Sequence, residues 1–170
     1  MGYRAETLFR LLRAAAPTLL GIIGVLILAA PIRFFEGFGP TPILPLVIVF
    51  FWSVYGPDYM PPLSVFLIGL LQDLLTGGPL GLWPAVYLVT QFIVLSQRAY
   101  FLGREQKVVW LGFALASVGA GLILWLVMSL MSGVLLPVGH LLLQLAATVV
   151  IYPLFGIAFG ELHRRVLVEV

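Results

Sequence analysis

The chain contains no cysteine, which excludes disulfide frameworks, thiolate nucleophiles, iron–sulfur ligation and cysteine-rich zinc sites. Charge is nearly as scarce. Nine Lys/Arg and seven Asp/Glu make only 9% of the 170 residues charged, with two histidines besides, whereas soluble domains carry about 25%. HExxH, GxSxG, carboxylate pairs at helical spacing and a Gly-rich phosphate loop with lysine are all missing, so the motif-borne hydrolases and nucleotide enzymes have no candidate residues. We expect no cofactor, no metal and no enzymatic activity. The basic residues stand at the ends of apolar runs and form no stripe, so the pI near 9.2 does not point to nucleic acid. Without Ser-rich, acidic or low-complexity linkers, and without internal repeats, the sequence reads as a single transmembrane domain over 1–170.

What the chain has is apolar surface, with 62% hydrophobic residues and a mean hydropathy of +1.14. These values mark an integral membrane protein. Apolar segments occupy 14–30, 43–55, 63–75, 80–97, 108–131 and 138–160. A bilayer core of about 30 Å takes roughly 20 helical residues, so the first, fourth, fifth and sixth are expected to span outright. The second and third have 13 residues each and rise only about 20 Å. They must be tilted under a cover of protein, borrow flanking Pro/Gly residues, or form a re-entrant pair. The predicted fold is an all-α, polytopic bundle of six transmembrane helices in which the second and third are short.

Sidedness follows from the cations, because cytoplasmic loops collect Lys and Arg. Six spans with both ends inside place Arg4, Arg10, Arg13, Arg98, Arg104, Lys107, Arg164 and Arg165 on the inner face and Arg33 alone outside. The tails 1–13 and 161–170 are then cytoplasmic, and the chain crosses its membrane several times. The first segment resembles a secretory signal in its preceding arginines, but its 17 residues exceed a 7–15-residue h-region and Pro31 follows directly. It is read as a retained span. Pro42, Pro45, Pro61, Pro62, Pro79 and Pro137 stand where helices begin. Pro84 and Pro153 fall inside spans, where they deprive the carbonyls of Leu80 and Val149 of a donor and kink the helix. Small residues at Gly112, Ala116 and Ala120, and at Gly156 and Gly160, mark sites of close helix packing.

One carboxylate, Asp73, stands inside a span, at an insertion cost of about 2.5–3.5 kcal/mol near a helix centre. It either accepts from backbone N–H groups at Thr76, Gly77 and Gly78, caps the next helix across the turn, or belongs to a polar pocket or partner site. His140, on the same outer side, and Gln144, one turn further along, are its candidate companions. His140 has a simpler alternative in water and headgroups at the interface. Trp52, Tyr55, Tyr59, Trp83, Tyr100, Phe101, Trp110, Phe34, Phe35 and Phe38 are read as interfacial anchors. The segment "SQRAYFLGREQK" is a positive inner loop or a docking surface for a soluble partner.

The run "PILPLVIVFFWSVYGPDYMPPLSVFLIGLLQDLLTGGPLGLWPAVYLV" resembles the MreD family of bacterial rod-shape proteins. Two short spans are joined by a Pro-Asp turn and followed by an Asp-containing helix end and a glycine turn. The resemblance attaches to Pro57, Asp58, Gly69, Asp73, Gly77, Gly78, Pro79 and Gly81. It implies a non-enzymatic scaffold or regulatory subunit of the elongation machinery, required for rod shape and sidewall peptidoglycan synthesis. Its implied partners are MreC most directly, then MreB, RodA and a class B penicillin-binding protein. The family is also similar in fold to S-components of energy-coupling-factor transporters, so a subunit binding a small vitamin is the alternative.

Overall fold

A computed structural model describes the backbone of residues 2–29 and 41–167, with side chains over 15–29 and 41–158. Arg33, Phe34, Phe35 and Phe38, and the side chains of Arg4, Arg10, Arg13, Arg164 and Arg165, lie outside the described residues. Among the described residues the chain is all helical, with α1 (Gly2–Ala29), α2 (Leu44–Tyr55), a 3-10 turn (Pro57–Tyr59), α3 (Pro62–Thr76), α4 (Leu82–Ser96), α5 (Arg98–Phe101), α6 (Gln106–Ser132) and α7 (Gly139–Leu167).

The centre of the fold is α2. Every residue from Leu44 to Val54 is buried, the pattern of a helix that is apolar all round because it meets protein on all sides. It packs against α1, α4, α6 and α7. Its 12 residues rise about 18 Å under a cover of protein, whereas α3 exposes Leu63, Leu67 and Leu74. Phe50 gathers Phe101, Phe113 and Tyr152 edge-on at centroid distances of 6.0, 5.2 and 5.7 Å, which ties α5, α6 and α7 to α2. A Cβ on Gly24 would lie 3.1 Å from Ile48 Cδ1 and 3.4 Å from both Leu44 Cβ and Pro45 N, so α1 lies closely against the first turns of α2.

Helices α6 and α7 are long and apolar enough to cross a membrane, over Gln106–Ser132 and Gly139–Ala158. Only 28% and 17% of their most apolar windows are buried, unlike core helices of a soluble protein. Four shorter apolar helices accompany them: Ala15–Ala29, Leu44–Tyr55, Pro62–Thr76 and Leu82–Ser96.

Several expectations are corrected. The fourth segment falls short of the length expected of an outright span, because Gly81, at φ 95°, starts α4 at Leu82 and the helix ends at Ser96. The first segment lies within the 28 residues of α1, which also takes in 2–13, and α7 runs through 161–167. Pro84 lies in the first turn of α4 rather than its interior, where its missing N–H leaves no helical bond unmade. Trp52 is 1% exposed and belongs to the core rather than to an interface, and Phe101 is half-buried against Phe50.

Pro153 does sit inside α7. The carbonyl it orphans, Val149 O, accepts a hydrogen bond from the Trp110 indole Nε1 at 2.8 Å. Trp110 is therefore a helix-repair residue. Trp110→Phe should lower the thermal midpoint of the detergent-solubilised protein, by an amount matching the roughly 0.5–1.5 kcal/mol net worth of one hydrogen bond. Pro153→Ala, which restores an N–H for Val149, should remove most of that loss in the double variant. Equal losses with and without Pro153 would assign the effect to packing alone.

Candidate functional site

Helix α3 buries Val65, Ile68, Gly69, Gln72 and Asp73, spaced so that all five lie on one face. That face meets α4, and the pair is bound at three levels. Near the C-terminal end of α3 Asp73 Oδ2 accepts from Gly81 N at 2.6 Å and Oδ1 from Trp83 N at 3.1 Å. Beside it the Tyr87 hydroxyl donates to Gln72 Oε1 at 2.5 Å. At the opposite end, just before α3 begins, Met60 O accepts from Gln91 Nε2 at 2.8 Å.

The start of α4 can be accounted for donor by donor. Gly81 N and Trp83 N go to Asp73. Leu82 N reaches Pro79 O at 3.2 Å, Pro84 has no N–H, and Ala85 N reaches Gly81 O at 3.1 Å. A helix N-terminus exposes unpaired donors and partial positive charge, and a carboxylate accepting two of them gains charge-assisted bonds. This is why Asp73 is tolerated at 1% exposure. Of the openings stated above, the structure selects the cap on the next helix. The N–H groups at Thr76, Gly77 and Gly78 are not its donors; Gly77 N instead bonds the Asp73 backbone carbonyl at 3.0 Å.

The residues around Asp73 divide by physical role. Gly77 ends α3 at φ 69° and Gly81 precedes α4 at φ 95°, left-handed conformations that cost a Cβ-bearing residue about 1–2 kcal/mol. Gly78 has no such φ, and a Cβ there meets only Thr76 Oγ1 at 3.8 Å. Gly69 acts by absence of bulk, since its Cβ would stand 2.6 Å from Pro84 Cα and 2.8 Å from the Trp83 carbonyl carbon. Pro57 opens the 3-10 turn between α2 and α3, and Asp58 is exposed within it.

The expected companions of Asp73 are not brought to it. His140 is exposed at the start of α7. Gln144 Nε2 donates to Thr41 O at 3.0 Å, while its backbone carbonyl accepts from Thr148 Oγ1 at 2.7 Å. Thr148 Oγ1 in turn accepts from Ile43 N at 2.9 Å. Gln144 and Thr148, one turn apart, thus hold the entry of α2, a second helix-start clamp separate from Asp73.

Sequence reasoning missed Thr148, Gln72, Tyr87 and Gln91, and read Trp110 as an interfacial anchor without its bond to Val149 O. Polar groups in apolar helices seek a partner in the bundle, but one sequence does not say which. Gln72 Nε2 is buried with no hydrogen-bond partner among the described residues. Those residues hold no cluster of three or more His, Cys, Asp or Glu able to bind a metal. No protein-family model, curated protein or solved structure matches the chain.

Proposed function

We propose that this chain is a six-span, non-enzymatic subunit of the bacterial inner membrane, with both termini cytoplasmic, acting as a scaffold of the MreD type in the rod-shape machinery. The observation that carries the reading is the use made of Gly69, Asp73, Gly77, Pro79 and Gly81. In the segment that resembles MreD, both carboxylate oxygens are engaged by the amides of α4, and three of these glycines set turn geometry or close approach. A segment devoted to building a helix hairpin suits a part whose work is to present a shape to neighbours.

Six spans are supported by the order of the helices. The ends of α2 and α4 meet at one surface, where Arg98 Nε donates to Val54 O at 2.8 Å. Helices α2, α3, α4 and α6 then alternate in direction through the short turns at 57–59, 77–81 and 97–105. The wide exposure of Leu63, Leu67 and Leu74 on α3, and of Phe92 on α4, suits lipid contact by these shorter helices.

The test is extraction of the native complex in mild detergent followed by mass spectrometry, with reporter fusions at Val170 and within 33–39. The expected result is co-purification of MreC with cytoplasmic signal at Val170 and external signal at 33–39. Rescue of depleted cells by a supplied vitamin would replace the scaffold with an S-component. An external Val170 would overturn the six-span topology.

A further inference from the structure

Helix α1 is continuous from Gly2 to Ala29, but α2 lies beside only part of it. Gly24 meets Leu44 and Ile48, and α2 stops at Tyr55, seven residues beyond Ile48. The same distance back along α1 from Gly24 reaches Pro17, so α2 gives out about there. Pro17 is buried and lies inside the helix. Its missing N–H leaves the Arg13 carbonyl without a helical donor, and its ring crowds that carbonyl.

The three turns before this joint have the sequence "GYRAETLFRLLRA". Leu8, Leu11 and Leu12 stand at i, i+3 and i+4 with Ala5 and Phe9 beside them, which makes one apolar face. Glu6, Arg10 and Arg13, at i, i+4 and i+7, make the opposite one. Arg4 falls near the edge of the apolar face, a position from which a long basic stem reaches headgroups. The positive-inside rule accounts for arginines here. It does not account for leucines spaced as a stripe.

Continuity of the helix carries both faces into the bundle by register. Leu12 precedes Leu19 by about two turns and Ile23 by about three, and Leu8 precedes Leu19 by about three; Leu19 and Ile23 are exposed. Arg13 precedes Pro17 by about one turn and Gly24 by about three, and Arg10 precedes Gly21 by about three. Those three are buried, with Gly21 against Ile68 of α3 and Gly24 against α2. The apolar face of the first turns therefore continues the exposed side of α1, and the charged face continues the packed side. Because the Pro17 ring is on the packed side, its clash with the Arg13 carbonyl opens the helix there and bends the first turns away from the bundle. A bend in that direction lays them along the membrane with leucines towards the acyl chains and charges towards water. A bend the other way would reverse the faces.

We propose that residues 2–13 are a membrane-surface helix, jointed at Pro17, whose partner is an anionic lipid surface. Three arginines against one glutamate supply the attraction to headgroups, and the leucine face supplies the anchor. The assignment to the cytoplasmic leaflet rests on the sidedness proposed above. The surface helix itself does not depend on the partner complex.

Because the chain has no cysteine, Leu8→Cys and Thr7→Cys each create a single labelling site, the first on the apolar face and the second three residues before Arg10. The full chain with a fluorophore at either site is reconstituted in phosphatidylcholine vesicles with and without phosphatidylglycerol. Quenching by aqueous acrylamide is compared with quenching by acyl-brominated phosphatidylcholine. In anionic vesicles acrylamide should quench the Leu8 label about threefold less than the Thr7 label, and the brominated chains should quench it more. Arg10→Gln with Arg13→Gln should return the Leu8 label in anionic vesicles to its values in phosphatidylcholine alone. Pro17→Ala restores a donor for Arg13 and straightens the helix, leaving position 8 about 13 Å beyond the joint, so acrylamide quenching there should rise. Equal acrylamide quenching at positions 7 and 8 overturns the proposal. A Leu8 label shielded from acrylamide and brominated chains alike also overturns it, by assigning the face to protein. Insensitivity to phosphatidylglycerol overturns the anionic surface as partner, and an unchanged Leu8 label in a folded Pro17→Ala protein overturns the joint. Failure of the topology reading is seen separately, as an external reporter signal at Val170, because vesicles present the same lipids to both sides of the chain.

Discussion

Asp73→Leu should raise the amount of chain inserted and lower the fraction that is folded. Insertion improves because the carboxylate no longer has to enter the bilayer, a gain of about 2.5–3.5 kcal/mol at a helix centre and less near its end. Folding suffers because Gly81 N and Trp83 N lose both acceptors. A fully buried donor left unpaired costs roughly 1–3 kcal/mol; these two are part-buried, so each loses the lower part of that range, still a sizeable share of an ordinary domain's roughly 5–15 kcal/mol. Asn is nearly isosteric with Asp, but with both oxygens engaged it retains one acceptor and turns its own N–H towards a donor. Asp73→Asn should therefore fall between wild type and Leu. The check compares total membrane-inserted protein with the monodisperse fraction and its thermal midpoint in detergent. A wild-type midpoint for Asp73→Leu would show that the two amides find other acceptors and that the cap does not stabilise the hairpin.

Gly69→Ala should be more damaging than its single added methyl suggests. The atoms it would meet, Pro84 Cα at 2.6 Å and the Trp83 carbonyl carbon at 2.8 Å, are backbone and cannot rotate away. The start of α4 must therefore move outward, and the movement stretches the bonds from Gly81 and Trp83 to Asp73, which lies one turn further along α3. Overpacking of this kind costs about 1–3 kcal/mol, with more expected of Gly69→Val. Gly119→Ala is the control: its Cβ has open space, and Ala favours a helix interior over Gly by about 0.5–1 kcal/mol. A fall in thermal midpoint for Gly69→Ala beside an unchanged or raised one for Gly119→Ala is the expected pair. Because both substitutions act on one contact, Gly69→Ala combined with Asp73→Leu should lose less than the sum of the separate losses. Equal midpoints for Gly69→Ala and Gly119→Ala would show that α3 and α4 can separate at no cost.

The two intramembrane prolines show how far the sequence can be read. Pro153 orphans Val149 O as expected, because the rule needs only that the helix continue on both sides. Pro84 fails the same rule, because Gly81 moves the helix start to Leu82 and turns an interior proline into a first-turn one. The small residues of α6 are a similar case. Gly112, Ala116 and Ala120 announce a close approach, and Gly112 receives Phe101 while Ala120 is buried in the core, yet a Cβ on the neighbouring Gly119 meets open space, and nothing local to α6 distinguishes these outcomes.

By itself the sequence determined the helical class and the apolar segments, because backbone groups in a bilayer must be satisfied within each helix and composition reports which stretches are apolar enough. It also singled out Asp73, since an ionised group among apolar neighbours is costly wherever it lies and must meet a partner. Only the tertiary structure decided who that partner is. The amides of Gly81 and Trp83, the buried position of α2, and the clamp of Gln144 and Thr148 on residues 41–43 all depend on which helices lie side by side. Helix adjacency is set by packing summed over the whole bundle, in which each contact is too small to be read from the residues that make it.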